Sequence, residues 1–254
     1  MALNSNSNGY TFGFAIVMVV VVGAVLSFAA IGLKPKQKEN LKQEKMQNIL
    51  SSIKIDVSRA EAADQFTDYV KKRYILNSEG TVIGEVSGEV KSLEEVGAEE
   101  ASKDAFNLDV KKQYKDKGIS DDERKYPLYE CQKDGETYFV VPMVGTGLWG
   151  PIWGFIAFKD DMNTIMGAKF DHKTETPGLG AEINQASFQD QFEGETIFSE
   201  SEFVSIDVTK GGGGDAKKHA VDGITGGTIT SDGVQEMIQR TLEVYVPYFK
   251  KQKA

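Results

Sequence analysis

The chain has 254 residues, with 29 Lys and Arg against 38 Asp and Glu, for a formal charge of −9. Hydrophobic residues make up 40% and charged residues 26%, the balance of a folded protein of one large or two small domains rather than a disordered chain. The acidic excess excludes nucleic acid as a partner, and one cysteine with two histidines excludes an internal disulfide, a cysteine-held metal cluster and a histidine-rich metal site.

Residues 1–9 form a short uncharged tail, and 10–33 carry no charged side chain. As a helix, 10–33 would span roughly 36 Å at 1.5 Å per residue, enough for the hydrocarbon core of a bilayer. A cleavable signal is the competing reading, with Ser27-Phe28-Ala29 as its small-residue site. The tail has no Lys or Arg, however, and the apolar run exceeds the usual signal core, so a retained single-pass anchor is the expectation. Lys34, Lys36, Lys38, Lys42 and Lys45 follow it, which by charge bias would keep the rest of the chain in the cytoplasm.

The remainder reads as mixed α and β. Stretches 37–51 and 58–73 have helical spacing, and Asn77-Ser78-Glu79-Gly80 marks a hairpin turn. The charged stretch 92–122 has weak periodicity and reads as a decorated surface segment or a mobile loop. Strand pairs are expected at 128–131 with 137–143, and at 152–158 with 164–170. A short helix at 178–188, a strand at 203–208 and a flexible turn at Gly211–Gly214 follow. A last helix carries Val234, Met237, Ile238, Thr241, Leu242, Tyr245 and Phe249 on one face, with Ser231 or Asp232 as its cap and Gln235 completing a capping box. Hairpins outnumber crossovers, so the fold class is α+β with a largely antiparallel sheet flanked by helices. The divisions expected are the tail at 1–9, the anchor at 10–33, a helical and charged part at 34–125 and a core at 126–254.

Several motifs fail. The Gly211–Gly214 run lacks the Lys-Ser/Thr of a phosphate-binding loop, and Gly178-Leu179-Gly180 has Ile183 where a dinucleotide fingerprint needs its third glycine. Cys131 lies in a strand and reads as a core residue. No catalytic residue and no metal ligand is assigned.

One motif survives. Asp222-Gly223-Ile224-Thr225-Gly226-Gly227-Thr228-Ile229-Thr230-Ser231 resembles the flavinylation motif of the FMN-binding domain family, with Thr225 where Ser is common and Gly227 where Ala is common. Without that resemblance the stretch is a Gly-rich turn before a helix. His172-Lys173-Thr174-Glu175-Thr176-Pro177-Gly178-Leu179-Gly180 resembles a second family signature, with one residue more between His172 and Glu175. The segment 147–154, Gly-Leu-Trp-Gly-Pro-Ile-Trp-Gly, is similar to that of the NqrC branch of the family, from sodium-translocating NADH:quinone reductases. The RnfG branch, from Rnf complexes, is its nearest relative.

The resemblance implies FMN joined through a phosphoester to Thr228, beside Thr225, Gly226 and Gly227. It implies a turn of Thr176, Gly178, Leu179 and Gly180 whose N–H groups and leucine side chain meet the flavin, with Trp149 or Trp153 near the ring. Core packing is the plain alternative for both tryptophans. His172 would orient the turn or take a redox role, Lys217 and Lys218 would balance the phosphate charge or sit on a solvated loop, and Asp222 would form a turn or help position the modifying enzyme. The implied function is electron transfer within a multi-subunit redox complex, with no catalysis by this chain alone. An extracytoplasmic flavin transferase using FAD would install the cofactor. The domain would lie on the periplasmic side of a bacterial inner membrane, against the lysine bias, because large domains translocate largely regardless of charge. The alternatives are a member of the RnfG branch, a membrane-tethered docking module without cofactor, and a stand-alone flavin reductase.

Overall fold

The computed structural model describes residues 7–214 and 216–252, and the chain divides into two compact units, 1–45 and 46–254. Residues 1–6 of the expected tail lie outside the described residues. The first unit is helical and holds most of α1, Asn8–Ser52. The most apolar window of α1 has a mean hydropathy of 2.9, and none of it is buried by protein. Among the described residues this is the one helix long and apolar enough to cross a membrane, and its bare valines and phenylalanines suit lipid rather than water. The sequence pattern separates a span at 10–33 from a helix at 37–51, whereas α1 runs through both with Pro35 inside it. A proline there withdraws a single N–H from the ladder, and the Lys, Gln, Glu and Leu residues beyond it favour helix enough to carry it on.

In the second unit, Met46, Ile49 and Leu50 of α1 are buried. Next come α2, Ala62–Tyr69, then β1, Val70–Leu76, and β2, Val82–Val86. The helix expected at 58–73 therefore stops at Tyr69. Residues 70–73 go to β1 because that strand is paired on both sides, by β2 and by a later strand, and two ladders override local periodicity. The charged stretch folds into α3, Leu93–Ala101, α4, Val110–Lys115, and two 3₁₀ turns. It is a surface segment fixed in place. The fully buried Arg73 of β1 donates from Nε and Nη2 to the two Asp104 carboxylate oxygens at 2.8 and 2.7 Å, and from Nη1 to the Gly88 carbonyl at 2.6 Å.

Four strands then form a meander: β3, Tyr126–Lys133, β4, Glu136–Thr146, β5, Pro151–Lys159, and β6, Ile165–His172. With β1 and β2 they make one six-stranded sheet in the order β2-β1-β3-β4-β5-β6, antiparallel throughout. The α+β class with an antiparallel sheet is as expected. The boundary expected at 125/126 is not a break, because β1 and β2 belong to the same sheet as β3–β6. Strand alternation splits the core into two layers. Phe139, Val141, Met143, Ile152, Ile156 and Phe158 face one layer, while Tyr138, Val140, Phe155 and Ala157 face the other. Cys131 is fully buried in the second layer, where burial pushes its thiol pKa up and leaves it an inert core group.

After β6 come a 3₁₀ turn, Gly180–Asn184, and α5, Ala186–Gln189. Two small sheets follow: β7, Phe198–Ser199, pairs with β8, Glu202–Phe203, and β9, Asp207–Thr209, pairs in parallel with β10, Ala220–Asp222. The single strand expected at 203–208 is thus two strands with different partners, and the chain turns between them at Ser205, φ 61°.

The last helix is α6, Thr228–Gln252. All seven residues predicted for its inner face are buried against the first layer. The helix lies close on β4: a Cβ at Gly145 would stand 2.8 Å from Met237, and one at Gly233 would stand 2.4 Å from the Thr146 carbonyl. The buried Tyr245 hydroxyl donates to the Pro127 carbonyl at 2.7 Å. Each such fully buried apolar side chain is worth about 1.5–3 kcal/mol, so the α6 face is a large share of what holds this unit together.

Candidate functional site

The start of α6 differs from expectation in a way that matters for chemistry. The helix begins at Thr228, three residues before the predicted cap, and its first ladder bond runs from Ser231 N–H to the Gly227 carbonyl at 2.9 Å. Ser231 and Gln235 are used elsewhere. Ser231 Oγ accepts from Ile224 N–H at 2.9 Å, and Gln235 Oε1 accepts from Val208 N–H at 2.8 Å. Thr228 is therefore the first helical residue, and the N–H groups of Thr228, Ile229 and Thr230 precede any acceptor in the ladder. The first turn carries no acidic side chain. Positive partial charge at this end is left to attract an anion.

Thr228 is exposed, and among the described residues its hydroxyl has no hydrogen-bond partner. The turn before it, Thr225-Gly226-Gly227, closes through a bond from Gly227 N–H to the Ile224 carbonyl at 2.9 Å. Gly226 has φ 77°, a conformation that disfavours any side chain, and a Cβ there would also stand 2.8 Å from Leu179 Cδ2. A Cβ at Gly227 would be 3.2 Å from the Gly180 nitrogen. The two turns that the sequence singles out are thus packed on each other.

The second turn is built by bonds to the Thr176 carbonyl from Leu179 N–H at 3.1 Å and Ala181 N–H at 3.2 Å. Gly178 N–H donates to Glu182 Oε1 at 2.8 Å. Of the residues whose N–H groups were expected to face the flavin, Gly178 and Leu179 spend theirs inside the turn. What the turn presents outward is the Leu179 side chain, 42% exposed. His172 orients the approach to the turn, since its Nδ1 accepts from Glu175 N–H at 3.2 Å.

The third element is the turn between β4 and β5, closed by Gly147 N–H to the Gly150 carbonyl at 2.8 Å. Trp149 is 66% exposed here, beside exposed Leu148. Trp153 instead packs on the opposite layer, with the Lys111 ammonium 6.0 Å from its ring, which matches the core-packing alternative. Thr174 Oγ1 donates to the Trp149 carbonyl at 3.0 Å.

One residue joins all three elements, and the sequence pattern assigns it no role. Glu175 is buried. Its Oε1 accepts from Trp149 N–H at 2.8 Å, and its Oε2 accepts from the Thr230 hydroxyl at 2.7 Å. Two glycines make room for it, since a Cβ at Gly147 would stand 2.7 Å from Oε1 and one at Gly180 2.6 Å from Oε2. In the sequence Glu175 stands within the second family signature, 172–180, but nothing there says what its carboxylate binds.

The remaining candidates have plain roles. Asp222 Oδ1 accepts from Gly214 N–H at 2.5 Å and ties the glycine run back to β10. Lys217 and Lys218 are exposed on that loop. Thr228 and the apolar Ile229, Leu179, Leu148 and Trp149 are each exposed on these three turns. A cleft of about 480 Å³ lies elsewhere, between Tyr114, Tyr126, Pro142 and Arg240.

Comparison with known proteins gives the family. Residues 147–243, which span all three turns, match the FMN-binding domain family. The chain is 33% identical to NqrC of Vibrio alginolyticus, a Na(+)-translocating NADH-quinone reductase component, over 92% of this chain and 90% of that protein. It is 29% identical to NqrC of Neisseria meningitidis serogroup B, over 100% and 98% respectively. The crystal structure of NqrC from Parabacteroides distasonis is similar with a TM-score of 0.71 and 39% identity, covering 85% of this chain and 96% of that one. With a membrane-suited N-terminal helix and an FMN-binding domain, the chain belongs to the NqrC family, whose members are subunits of the Na(+)-translocating NADH-quinone reductase, an oxidoreductase complex.

Proposed function

We propose that this protein is a membrane-anchored electron-transfer subunit of a sodium-translocating NADH:quinone reductase, with FMN held by a phosphoester to Thr228. The observation that carries the reading is the Thr228 hydroxyl. It is exposed, unbonded among the described residues, and set at the N-terminus of a 25-residue helix behind two glycines. A nucleophile must be reachable, and its phosphate product needs positive potential and no neighbouring Cβ in the way.

Attachment is a phosphoryl transfer. Thr228 Oγ attacks the phosphorus of the FMN half of FAD, the bond from that phosphorus to the AMP oxygen breaks, and AMP leaves. The hydroxyl proton passes to a base of the separate flavin transferase, since among the described residues no carboxylate or histidine is bonded to Thr228. Once attached, FMN supplies one-electron transfer between cofactors of neighbouring subunits. The chain's own share is to hold it. The α6 N-terminus balances the phosphodiester, and Leu179, Leu148 and Trp149 offer apolar surface for a flat ring. The covalent tether suits a domain on the periplasmic side of the inner membrane, where lost FMN is not replaced.

Intact mass of the full-length protein, made with an active flavin transferase and denatured before measurement, tests this. One FMN less one water, mapped to a peptide containing Thr228, is the expected result. An unmodified mass beside a modified control protein would leave a tethered docking module. Labelling, by an impermeant reagent in intact cells, of a cysteine introduced on the domain surface tests the orientation, and labelling only after lysis would overturn the periplasmic placement.

A further inference from the structure

We propose that Glu175 is a positioning residue for flavin attachment: its buried carboxylate fastens the first turn of α6 to the turn at 147–149, and so sets where the Thr228 hydroxyl stands relative to Trp149 and Leu179. The inference rests on the reading of Thr228 given above. Three observations carry it. The two carboxylate oxygens are divided between the two elements, Oε1 to Trp149 N–H and Oε2 to the Thr230 hydroxyl. Thr230 is two residues from Thr228 and is itself buried, so this bond fixes the turn that presents the acceptor. Gly147 and Gly180 leave the space that the carboxylate fills, since a Cβ on either would stand within 2.7 Å of one of its oxygens.

The bonding also limits what replaces it. A glutamine keeps one oxygen for Trp149 N–H, and its amide can donate to Thr230, whose hydroxyl then accepts. An alanine leaves both donors without acceptor. Among the described residues no cation is paired with Glu175, so its role is carried by these neutral donors and not by an ion pair.

The test uses the full-length protein as wild type, E175A, E175Q and T230V, with two readouts. The first is hydrogen exchange of the Trp149 amide before any flavin is attached. The second is the rate of FMN transfer from FAD, split into kcat and KM for the acceptor protein. E175A is expected to expose the Trp149 amide and to lower kcat about tenfold or more, because small misplacement of a reacting group is costly, while KM is little changed. E175Q should restore both readouts to within about threefold, the scale of weakening one hydrogen bond. A protected amide with wild-type kcat in E175A would overturn the proposal, as would an E175Q protein no better than E175A. Should E175A fail to fold, T230V removes only the Oε2 donor, and wild-type kcat there would overturn it equally. If wild-type Thr228 took no FMN from an active transferase, the reading of Thr228 would fail, and amide exchange would still decide whether the clamp exists.

Discussion

Among the described residues, the two layers of the sheet each bury one carboxylate, and they use it differently. In the second layer Asp104 meets Arg73, charge against charge, and the pair also binds the Gly88 carbonyl. In the layer that carries α6, Glu175 meets only a backbone N–H and a hydroxyl. A buried arginine without its carboxylate is a severe defect, so Asp104 serves the fold. Glu175 shares its oxygens between loops around an exposed nucleophile, and it serves the site. Burial alone does not separate these roles, because both groups are nearly inaccessible. The donors they meet do.

Substitutions sharpen that contrast. The largest effect belongs to the site: Thr228→Ala abolishes covalent flavin, read by intact mass, while the unfolding free energy from a urea titration stays within the roughly ±0.5 kcal/mol of an exposed substitution. The next belongs to the fold. Asp104→Ala strands Arg73 in the core and costs about 3–5 kcal/mol in chemical unfolding, yet leaves Thr228 competent for flavin in whatever fraction remains folded. An Asp104→Ala protein that folded stably but took no FMN would break the comparison. Gly180→Ala sits between the two. Its Cβ would stand 2.3 Å from Thr230 Oγ1 and 2.6 Å from Glu175 Oε2, so it both overpacks, at about 1–3 kcal/mol, and slows flavin attachment.

Alkaline pH loads the two layers alike. Tyr129 in one layer and Tyr245 in the other have their phenol pKa values raised by burial above the usual 10. The folded state therefore keeps protons that the unfolded state gives up, and stability is intact below pH 10 and lost as pH rises beyond it. The slope is at most about 1.4 kcal/mol per pH unit for each group. Tyr138, held up to about 12 first by its bond to Glu136 and then by burial, adds to the fall between pH 10 and 12. Urea midpoints at pH 8, 10 and 11 check the sign.

Much of the fold is legible in the residues alone. The meander β3–β6 follows from alternation and turn residues, and the inner face of α6 from helical spacing, because each depends on neighbours close in sequence. The failures share a cause. Residues 70–73 are strand, the stretch at 203–208 is split, and the expected capping box of α6 is broken, each through partners distant in sequence: β3 for Val70, β10 for Asp207, and Val208 for Gln235. The site divides the same way. Thr228 is local, one residue in a motif. Glu175 is not, since its function exists only when Trp149 and Thr230 arrive from 26 residues before it and 55 after.

The smallest expected effect is on Trp149, and it probes the comparison most finely because the chain has only two tryptophans, one at the site and one in the second layer. Trp149 is 66% exposed and gives the domain its backbone N–H, through Glu175, but little side-chain packing. Trp149→Ala should therefore shift stability by no more than about 0.5 kcal/mol, while Trp153→Ala, which strips packing from the second layer, should cost more. The optical signature of the attached flavin should respond in the opposite order. Its visible circular dichroism should change with Trp149→Ala, because an apolar ring is removed from the surface around Thr228, and stay unchanged with Trp153→Ala. If Trp153→Ala perturbed the flavin and Trp149→Ala did not, the flavin-holding surface would lie on the wrong side of the sheet, and the division of labour between the two buried carboxylates would fall with it.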